Sequence, residues 1–560
     1  MDVGEMQKKL SRWATENPQD QYRDLYSLLC NATWLRVAQH SVNTNQGRET
    51  AGIDGQSMSN FNGDLEGNLA RLQEALTAKT FEPMPVKRVY IPKPNGTRRP
   101  LGIPTIDDRI VQEALRMALE PIWEADFSRH SYGFRPNRST YDAIAYLSNM
   151  LTGRSGSIYQ WVIEGDIASY FDTIPHRRLS KAIKKRVADR DIRALLWKFL
   201  RAGVMDREKE AETLTGTPQG GIVSPLLANI YLHELDRYME SNYLNLDSHA
   251  RARRRKQGQG NFLYVRYADD FVVLCNGTKT DALAMKEELR GLLSSMGLTL
   301  SEEKTRITHI TEGFTFLGYK VIREIGTRGK MVHKVEIPDK AIKRFRHKVR
   351  EITAPRTSNE ATNAKIMAVN ALTRGWCQYY RITSSPSQIF SKLRPEVYWG
   401  MAHWLGRKYK DNMPGILQRF QKGETLGTNT RTLTLPSEYK AKKRLIKTWH
   451  NPYTATEEAE AEKVRIKRES LFSYDKLWTG HGDRQEGMDI RDEILLRDGP
   501  TCSACGQTFH VSEVQVDHKR PRTRFKNPTD ADRLANLQVL CTECHRAKTK
   551  SDLKVLSRVR

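Results

Sequence analysis

The stretch FLYVRYADDFVVLC, residues 262–275, combines the pattern of a β-hairpin with two acids that could bind a metal. Two runs rich in β-branched and aromatic residues, 262–267 and 271–275, are separated by three residues, and this pattern predicts a β-hairpin. Asp269 and Asp270 would lie at its turn, where their carboxylates repel each other unless a divalent cation binds them. Paired acids are also common in solvated turns, so these residues alone leave both interpretations open.

A third acid extends this set of carboxylates. The run YQWVIEGDI, residues 159–167, predicts a strand that ends near Asp166, and amphipathic patterns at 178–187 and 281–297 predict helices. Three carboxylates match the oxygen ligands of two Mg²⁺ ions, which would activate a primer 3′-hydroxyl and stabilise the leaving pyrophosphate. Residues 81–320 mix short strands with amphipathic helices, and the three carboxylates within them are candidate metal ligands of a nucleotidyl-transfer site.

The size and charge of the chain agree with such a site. Its 560 residues predict two to four domains. The 91 Lys and Arg against 66 Asp and Glu leave a formal charge of +25. This excess of positive charge is too large for a merely solubilising surface and favours a nucleic-acid partner.

No apolar run approaches the roughly 20 residues of a membrane span, and the N-terminus lacks the apolar core of a signal peptide. We therefore expect an intracellular, bacterial protein without a membrane partner.

Four of the seven cysteines form two C-x-x-C pairs near the C-terminus. Four thiolates in this arrangement suit tetrahedral Zn²⁺, and the site would be structural because they leave no open coordination position. A disulfide pairing is the alternative, which a reducing cytosol disfavours. The predicted zinc ligands are Cys502, Cys505, Cys541 and Cys544.

Six sequence blocks resemble, in the same order, those of group II intron reverse transcriptases. They are IPKPNGTRRPLGIPTIDDRIVQ (91–112), SYGFRPNRST (131–140), GDIASYFDTIPH (165–176), GTPQGGIVSPLLANIYL (216–232), YADD (267–270) and FTFLGY (314–319). The resemblance implies an α+β multidomain protein with the fingers and palm of a right-hand polymerase and a helical thumb. It also implies that Asp166, Asp269 and Asp270 bind the catalytic metal, with the Ile167 carbonyl as a further oxygen ligand.

The same resemblance points to four nucleotide-binding residues. Phe171 resembles the aromatic beneath the incoming sugar, where its ring would exclude a 2′-hydroxyl; a core Phe is the alternative. Gln219 resembles the residue beside the nucleotide and primer. Lys93 and Arg99, on a predicted hairpin that turns at residues 94–96, would contact the triphosphate, although solvated charges have the same pattern.

The segment NALTRGWCQYYRI, residues 370–382, resembles the signature of domain X, the thumb of intron maturases. It places aromatic rings beside guanidinium groups, a combination that can stack on unpaired bases and hold phosphates. An aromatic helix face packed in a core is the alternative. The predicted RNA-binding residues are Arg374, Trp376, Tyr379, Tyr380 and Arg381.

Between the cysteine pairs, VQVDHKRPRTRF and NLQVLCTECH resemble HNH nucleases of the ββα-metal type. The resemblance implies that His518 is the general base that deprotonates water. Asp517 and His545 would bind one divalent ion, and Asn536 would orient His518 or contribute to the site. The spacing allows Asp517 and His518 on a strand and His545 on the following helix. If His545 instead belonged to the zinc site, the module would be only a zinc-stabilised DNA clamp.

These patterns predict five domains. They are an N-terminal helical, RNA-binding extension (1–80), reverse transcriptase fingers and palm (81–325), thumb or domain X (326–412), a basic DNA-binding region and linker (413–487), and an HNH endonuclease with the four-cysteine zinc site (488–560). The basic stretch 438–450 occupies the place of the family's DNA-binding region, although a charge run is most often a solvated face.

The predicted function is that of a multifunctional intron-encoded protein. It would bind group II intron RNA, assist its splicing, nick a target DNA, and copy the intron from deoxynucleoside triphosphates. It would be cytoplasmic and associate with the nucleoid when it acts on DNA. A stand-alone host reverse transcriptase is disfavoured by the thumb signature and the HNH module. A maturase that no longer polymerises is disfavoured by the intact acids.

Overall fold

The computed structural model describes most of residues 1–454 and part of the C-terminal region. The described residues are 1–92, 96, 98–152, 159–206, 209–211, 216, 220–326, 331–444, 451–454, 494, 498, 501–507, 514–521, 525, 531, 534–541, 543–545, 547–549 and 551. The chain divides into two compact units, Met1–Tyr453 and Thr454–Arg560.

Most helices belong to the first unit. Among the described residues, helices α1 to α17 span Val3–Glu16, Tyr26–Leu29, Ala32–Asn43, Met58–Gly63, Leu65–Thr77, Ile106–Asp126, Thr140–Met150, Tyr170–Thr173, His176–Lys184, Arg190–Arg201, Ser224–Met239, Ser248–Lys256, Lys279–Ser295, Asp339–Ile352, Thr362–Tyr380, Pro386–Tyr409 and Met413–Phe420. Within this part of the chain, none of the helices combines the length and apolar character that crossing a membrane requires.

The strands form small antiparallel or mixed sheets. In the described residues, β1 to β15 span Val86–Pro92, Arg98–Ile103, Trp161–Gly165, Val204–Asp206, Lys209–Ala211, Phe262–Tyr267, Asp270–Cys275, Arg306–His309, Phe314–Phe316, Tyr319–Ile325, Met331–Glu336, Gln421–Lys422, Thr425–Leu426, Val514–His518 and Leu537–Cys541. One four-stranded sheet has the order β2-β1-β4-β5, and a second, the central sheet, has the order β6-β7-β3-β8. A three-stranded sheet has the order β11-β10-β9.

The first 80 residues form helices α1 to α5, as their pattern predicts. The Asn31 side chain caps α3 by accepting hydrogen bonds from the N–H groups of Thr33 and Trp34. Trp34 is fully buried and donates from Nε1 to the carbonyl oxygen of Ala114 in α6, at 3.0 Å. The N-terminal helices therefore pack on the helix that follows the β1–β2 hairpin.

The hairpin predicted for residues 262–275 is confirmed in the central sheet, but its turn is one residue shorter than predicted. Tyr267 pairs with Asp270, so the turn contains two residues and Asp270 belongs to β7. The chain reverses within two residues because Ala268 adopts a left-handed φ of 56°. The predicted strand at 159–167 is β3, and the two predicted helices are α9 and α13.

Helices α14 to α17 carry a hydrophobic core of their own, and the helical pattern predicted for this region is confirmed. Phe345, Leu393 and Trp404 are buried in this core together with residues of the short β12–β13 hairpin. The helical region thus has a core of its own, while Cys377, Tyr380 and Phe390 of α15 and α16 also belong to the larger core that contains the central sheet.

The second unit contains one described hairpin. β14 and β15 are antiparallel, with Val514 opposite Cys541 and His518 opposite Leu537. Residues 543–545 are helical, so the strand predicted for Asp517 and His518 and the helix predicted for His545 are confirmed. Residues 445–450 of the basic stretch lie outside the described part of the chain.

Candidate functional site

Three carboxylates meet at one end of the central sheet. Gly165 pairs with Phe271 across β3 and β7, so Asp166 follows directly beside Asp270. Burial and the charge of Asp269 raise the pKa of Asp270, and the neighbouring Asp166 carboxylate adds to this effect. Asp269 occupies the adjacent turn position. The register of the sheet therefore brings together acids that are far apart in the sequence.

The segment that follows α13 packs against Asp166 and contacts it through both backbone and side chain. The backbone N–H of Ser301 donates to the carbonyl oxygen of Asp166 at 2.8 Å, and Ile167 forms a β-bridge with Leu300. Lys304 donates from Nζ to Asp166 Oδ2, also at 2.8 Å. Sequence reasoning missed Lys304, because in the charged run SEEKTR nothing distinguishes it from a solvated lysine.

The electrostatics of this group suit a divalent cation. Burial and the charge of Asp166 raise the pKa of Asp269, which the charges of Lys304 and Arg99 oppose. Desolvation in the cleft and the charges of Asp269 and Asp166 raise the pKa of Asp270 to about 7. The acids are costly to ionise together, and carboxylate oxygens are the donors that Mg²⁺ prefers. The residues present thus fit a magnesium site.

A fully buried arginine fixes the turn that carries these acids. Arg266 binds the buried carboxylate of Asp236 through Nε and Nη2, at 2.7 and 2.5 Å. Its Nη1 donates to Asn229 Oδ1 at 3.0 Å and to the carbonyl oxygen of Ala268 at 2.9 Å. Asn229 also donates to the carbonyl oxygen of Gly133, at 2.8 Å. Arg266 was not predicted from the sequence, although an arginine inside an apolar strand is itself a signal.

The turn also packs tightly against a second loop. A Cβ on Gly133 would lie 2.4 Å from the backbone nitrogen of Ala268, which no residue but glycine tolerates without movement. The next residue, Phe134, has a left-handed φ of 58° and is 52% exposed. A left-handed conformation costs a non-glycine residue on the order of 1–3 kcal/mol, so the surrounding loop must hold Phe134 in place.

Of the four residues predicted to bind the incoming nucleotide, the structure describes two, Phe171 and Arg99. Phe171 is half-buried, and its ring meets that of Phe134 edge-on at a centroid distance of 6.1 Å. Arg99 is exposed on β2, and its charge reaches Asp269. Lys93 and Gln219 lie outside the described residues.

The aromatic residues predicted to bind RNA pack inside the protein. The Tyr379 ring stacks on that of Tyr319, with centroids 4.9 Å apart and an interplanar angle of 19°. Trp376 contacts Phe345 at 4.7 Å and Tyr380 at 4.8 Å. Tyr379 thus joins α15 to β10 and Trp376 joins α15 to α14, as expected for the core alternative.

The two arginines of the same segment differ from each other in their exposure to solvent. Arg374 is exposed, whereas Arg381 is half-buried at the end of α15. The carbonyl oxygen of Arg381 accepts a hydrogen bond from the N–H of Lys442 at 2.7 Å. Tyr141 donates to the carbonyl oxygen of Lys443 at 2.8 Å. The described start of the basic stretch is therefore fastened to both α15 and α7.

The four cysteines of the second unit gather into one cluster. Their Sγ atoms all lie within 4.8 Å of one another. Burial opposes ionisation of Cys502, but N–H groups of Cys541, Cys505 and Ala504 lower its pKa to about 6. The neighbouring thiols raise the pKa of Cys544 to about 12, because several thiolates cannot ionise together without a cation. This donor set fits structural Zn²⁺.

The candidate nuclease residues lie beside this cluster. His545 Nε2 is 4.0 Å from Asp517 Oδ1, and Lys548 Nζ is 3.2 Å from Asp517 Oδ2. His518 is half-buried at the end of β14. Among the described residues the metal-binding group contains the four cysteines without His545. This arrangement pairs His545 with Asp517, as the nuclease hypothesis requires.

Asn536 shapes the backbone that follows His518. Its Oδ1 accepts from the N–H of Arg520 at 3.0 Å, while its Nδ2 donates to the carbonyl oxygens of Arg520 and Ala531, at 3.2 and 2.8 Å. The carbonyl oxygen of Asn536 accepts from the N–H of Lys519. Because its side-chain oxygen is already engaged, the contacts favour an orienting role over a metal-ligand role.

Three protein-family models match successive parts of the chain. Residues 91–321 match the family described as reverse transcriptase (RNA-dependent DNA polymerase). Residues 342–421 match the group II intron, maturase-specific domain, and residues 502–551 match the HNH endonuclease family.

Three similar proteins match different shares of this chain. Protein YkfC of Escherichia coli strain K12 is 41% identical over 361 residues, which cover 62% of this chain and 95% of that protein. The group II intron-encoded protein LtrA of Lactococcus lactis subsp. cremoris is 27% identical over 622 residues, covering 96% of this chain and 98% of that protein. Nuclear intron maturase 1, mitochondrial, of Arabidopsis thaliana is 25% identical over 319 residues, covering 41% of this chain and 44% of that protein. The similarity to the second of these reaches across all three family matches.

Proposed function

This chain belongs to the family of group II intron-encoded proteins, and we propose that it supports intron mobility through two separate catalytic sites. It combines a reverse transcriptase, a maturase and an HNH endonuclease. The same five domains are part of the proposal, with β1–β2 in the fingers, the central sheet in the palm and α14 to α16 in the thumb.

In the proposed polymerase site, Asp166, Asp269 and Asp270 hold one or two Mg²⁺ ions with help from the Ile167 carbonyl. Bound Mg²⁺ supplies an activated primer 3′-oxygen and charge neutralisation for the leaving pyrophosphate. Lys304 offsets the negative charge of Asp166 from within hydrogen-bonding distance. The assignment is supported by the meeting of these acids inside the segment that matches the reverse transcriptase family.

Nucleotide selection is assigned to residues around the same cleft. The Phe171 ring limits the space beneath the sugar and so disfavours a 2′-hydroxyl. Arg99 and Lys93 contact the triphosphate, and Gln219 lies beside the nucleotide and primer. The influence of Arg99 on the pKa of Asp269 supports its closeness to the reacting phosphates.

In the proposed nuclease site, His518 accepts a proton from the water that attacks the phosphodiester. Asp517 and His545 bind a divalent ion, whose bound form supplies charge stabilisation for the reacting phosphate. Asn536 orients the backbone next to His518, and the four cysteines bind a structural Zn²⁺. The proximity of His545 to Asp517 supports this division.

In the maturase role, the protein stabilises the active fold of the intron RNA, which performs the splicing chemistry. Arg374 and Arg381 offer charges for phosphates, while Trp376, Tyr379 and Tyr380 contribute by holding α15 in place. The ribonucleoprotein then acts on target DNA in the cytoplasm of a bacterial cell, at the nucleoid. There the nuclease nicks one strand and the polymerase extends the exposed 3′-end on the intron RNA.

Two assays on two variants test this proposal. Primer extension on an RNA template with Mg²⁺ and deoxynucleotides should be abolished in Asp269→Ala and retained in His518→Ala. Nicking of a target duplex by the intron ribonucleoprotein should show the reverse pattern. Loss of both activities in either well-folded variant would contradict two separate sites, and no cDNA from the wild type would remove the polymerase from the proposal.

A further inference from the structure

Helix α12, Ser248–Lys256, is strongly cationic and has no buried residue. Its sequence, SHARARRRK, contains five Lys or Arg residues and no acid. A nine-residue helix is marginal by itself, and in proteins a helix is usually stabilised by an apolar face packed on a core. Like charges along a helix also repel each other. The need to fold therefore does not explain this composition.

One face of α12 is fastened to the protein by two of its arginines. Arg251 donates to the carbonyl oxygen of Leu244 at 2.6 Å. Arg254 donates to the carbonyl oxygen of Gly260 at 2.9 Å, and its guanidinium group lies 5.2 Å from the centre of the Tyr243 ring. These contacts fix the rotation of the helix about its axis.

The opposite face presents free positive charge. With 3.6 residues per turn, His249, Arg253 and Lys256 lie one above another, away from Arg251 and Arg254. All three are exposed. Within the described part of the chain, neither Arg253 nor Lys256 forms an ion pair. The spacing spreads these side chains over roughly 10 Å along one line.

We propose that this outer face of α12 binds the phosphate backbone of double-stranded intron RNA. The helix has no Phe, Tyr or Trp to stack on an unpaired base, so its contacts are with phosphates rather than with sequence. It has no apolar face to enter a membrane surface. The inference rests on the proposed function as a binder of intron RNA.

The position of α12 separates this contact from polymerisation. The helix leads into Phe262, at the opposite end of β6 from Tyr267 and the catalytic turn. Six residues of extended chain span about 20 Å. A short primer and template at the acids need not reach the helix, whereas a large folded RNA can contact both regions.

The test compares two matched variants of the full-length protein. Arg253→Gln/Lys256→Gln removes two exposed cations at the sixth and ninth positions of α12. Lys181→Gln/Lys184→Gln removes two exposed cations at the same positions of the nine-residue helix α9. The affinity of each protein for a 30-base-pair mixed-sequence RNA duplex is measured by fluorescence anisotropy over a range of KCl concentrations. A DNA duplex of the same sequence and primer extension on a short template complete the set.

We expect the α12 variant to bind the RNA duplex roughly tenfold more weakly, with a salt dependence shallower by about 2 in log–log slope. The α9 variant and primer extension should change less than twofold. Equal weakening by both variants, equal loss of DNA binding, or a matching fall in primer extension would each overturn the proposal. A wild-type protein that binds no RNA duplex or intron RNA would instead contradict the proposed function.

Discussion

The two candidate catalytic regions are held in place by different interactions: one by a buried ion pair at Arg266, the other by a cluster of four cysteines that includes Cys502. At the polymerase site, a buried ion pair, two hydrogen bonds and the register of four strands hold the turn that carries the acids. At the nuclease site, a single described hairpin lies beside four cysteines whose sulfur atoms are within 4.8 Å. The first geometry rests on contacts between protein groups. We expect the second to depend on a cation that offsets the charge of its thiolates.

We therefore expect metals to have two different roles in this protein. The three acids lie at the end of a sheet that is anchored in a large hydrophobic core, so we expect Mg²⁺ to be needed there for chemistry and not for folding. The described residues of the second unit form only a small apolar cluster around Cys502, Leu540 and Cys541, so we expect metal binding to supply much of the folding free energy of this unit. The two regions should therefore respond differently to chelators, core substitutions and pH.

The largest expected effect is on the nuclease unit, after removal of zinc or in Cys502→Ser. Structural zinc contributes on the order of 10 kcal/mol of folding free energy in small domains. We expect target-strand nicking to be lost and the segment after residue 454 to become sensitive to protease, while primer extension persists. Cys30→Ser, at a half-buried position in the first unit, is the control and should change neither. A protease-resistant second unit after zinc removal would refute the comparison.

The next effect is on the first unit, in Arg266→Met. The substitution leaves the Asp236 carboxylate buried without its partner, which should lower the free energy of unfolding by about 3–5 kcal/mol. The matched control, Arg290→Met, breaks an exposed pair with Glu302 and should cost less than about 1 kcal/mol. Urea denaturation followed by circular dichroism measures both. Similar midpoints for the two variants would mean that the buried pair does not hold the turn.

A smaller effect concerns nucleotide selection, in Phe171→Ala. Removing the ring should lower the preference for deoxynucleotides over ribonucleotides roughly ten- to a hundredfold, because steric exclusion of one hydroxyl is worth only a few kcal/mol. The ratio of kcat/KM for the two substrates measures it. Phe134→Ala removes the neighbouring ring without opening the space beneath the sugar and should change the ratio less. If selectivity is unchanged in Phe171→Ala, the ring is a core residue.

The smallest effect is on the pH dependence of the metal-free first unit. The pKa of Asp270 is about 7 in the folded chain and about 4 in an unfolded one. Between these values the folded state binds more protons, so the free energy of unfolding should fall as pH rises. Partial exposure keeps the change below about 1 kcal/mol.

Denaturation in EDTA at pH 5.5 and 8 tests this dependence. Asp270→Asn should flatten it, and Mg²⁺ should restore stability at pH 8. If stability instead rises between these pH values and the rise disappears in Asp270→Asn, the sign of the shift is wrong.

Local patterns predicted much of the fold, because they depend on neighbours in the sequence. The hairpin of residues 262–275 and the strand before Asp166 follow from composition and period alone. The turn was one residue shorter than the pattern suggested, because the left-handed conformation of Ala268 has no signature in the side chain. The strand order of the central sheet, which brings Asp166 beside Asp270, was not predicted; the family resemblance only grouped these acids as metal ligands.

Other features depend on partners that the sequence does not identify. Nothing in the strand containing Arg266 indicates Asp236, thirty residues earlier, as its counter-ion. The aromatic residues of α15 have a spacing that fits both a core and an RNA-binding face, and only the stacking of Tyr379 on Tyr319 distinguishes them.

The contact between Gly133 and Ala268 limits where this chain can vary during evolution. A methyl group at residue 133 would press on the turn that carries two acids, so that position cannot drift alone. We therefore expect residue 133 to remain glycine among related sequences, or to change only together with the turn that it touches.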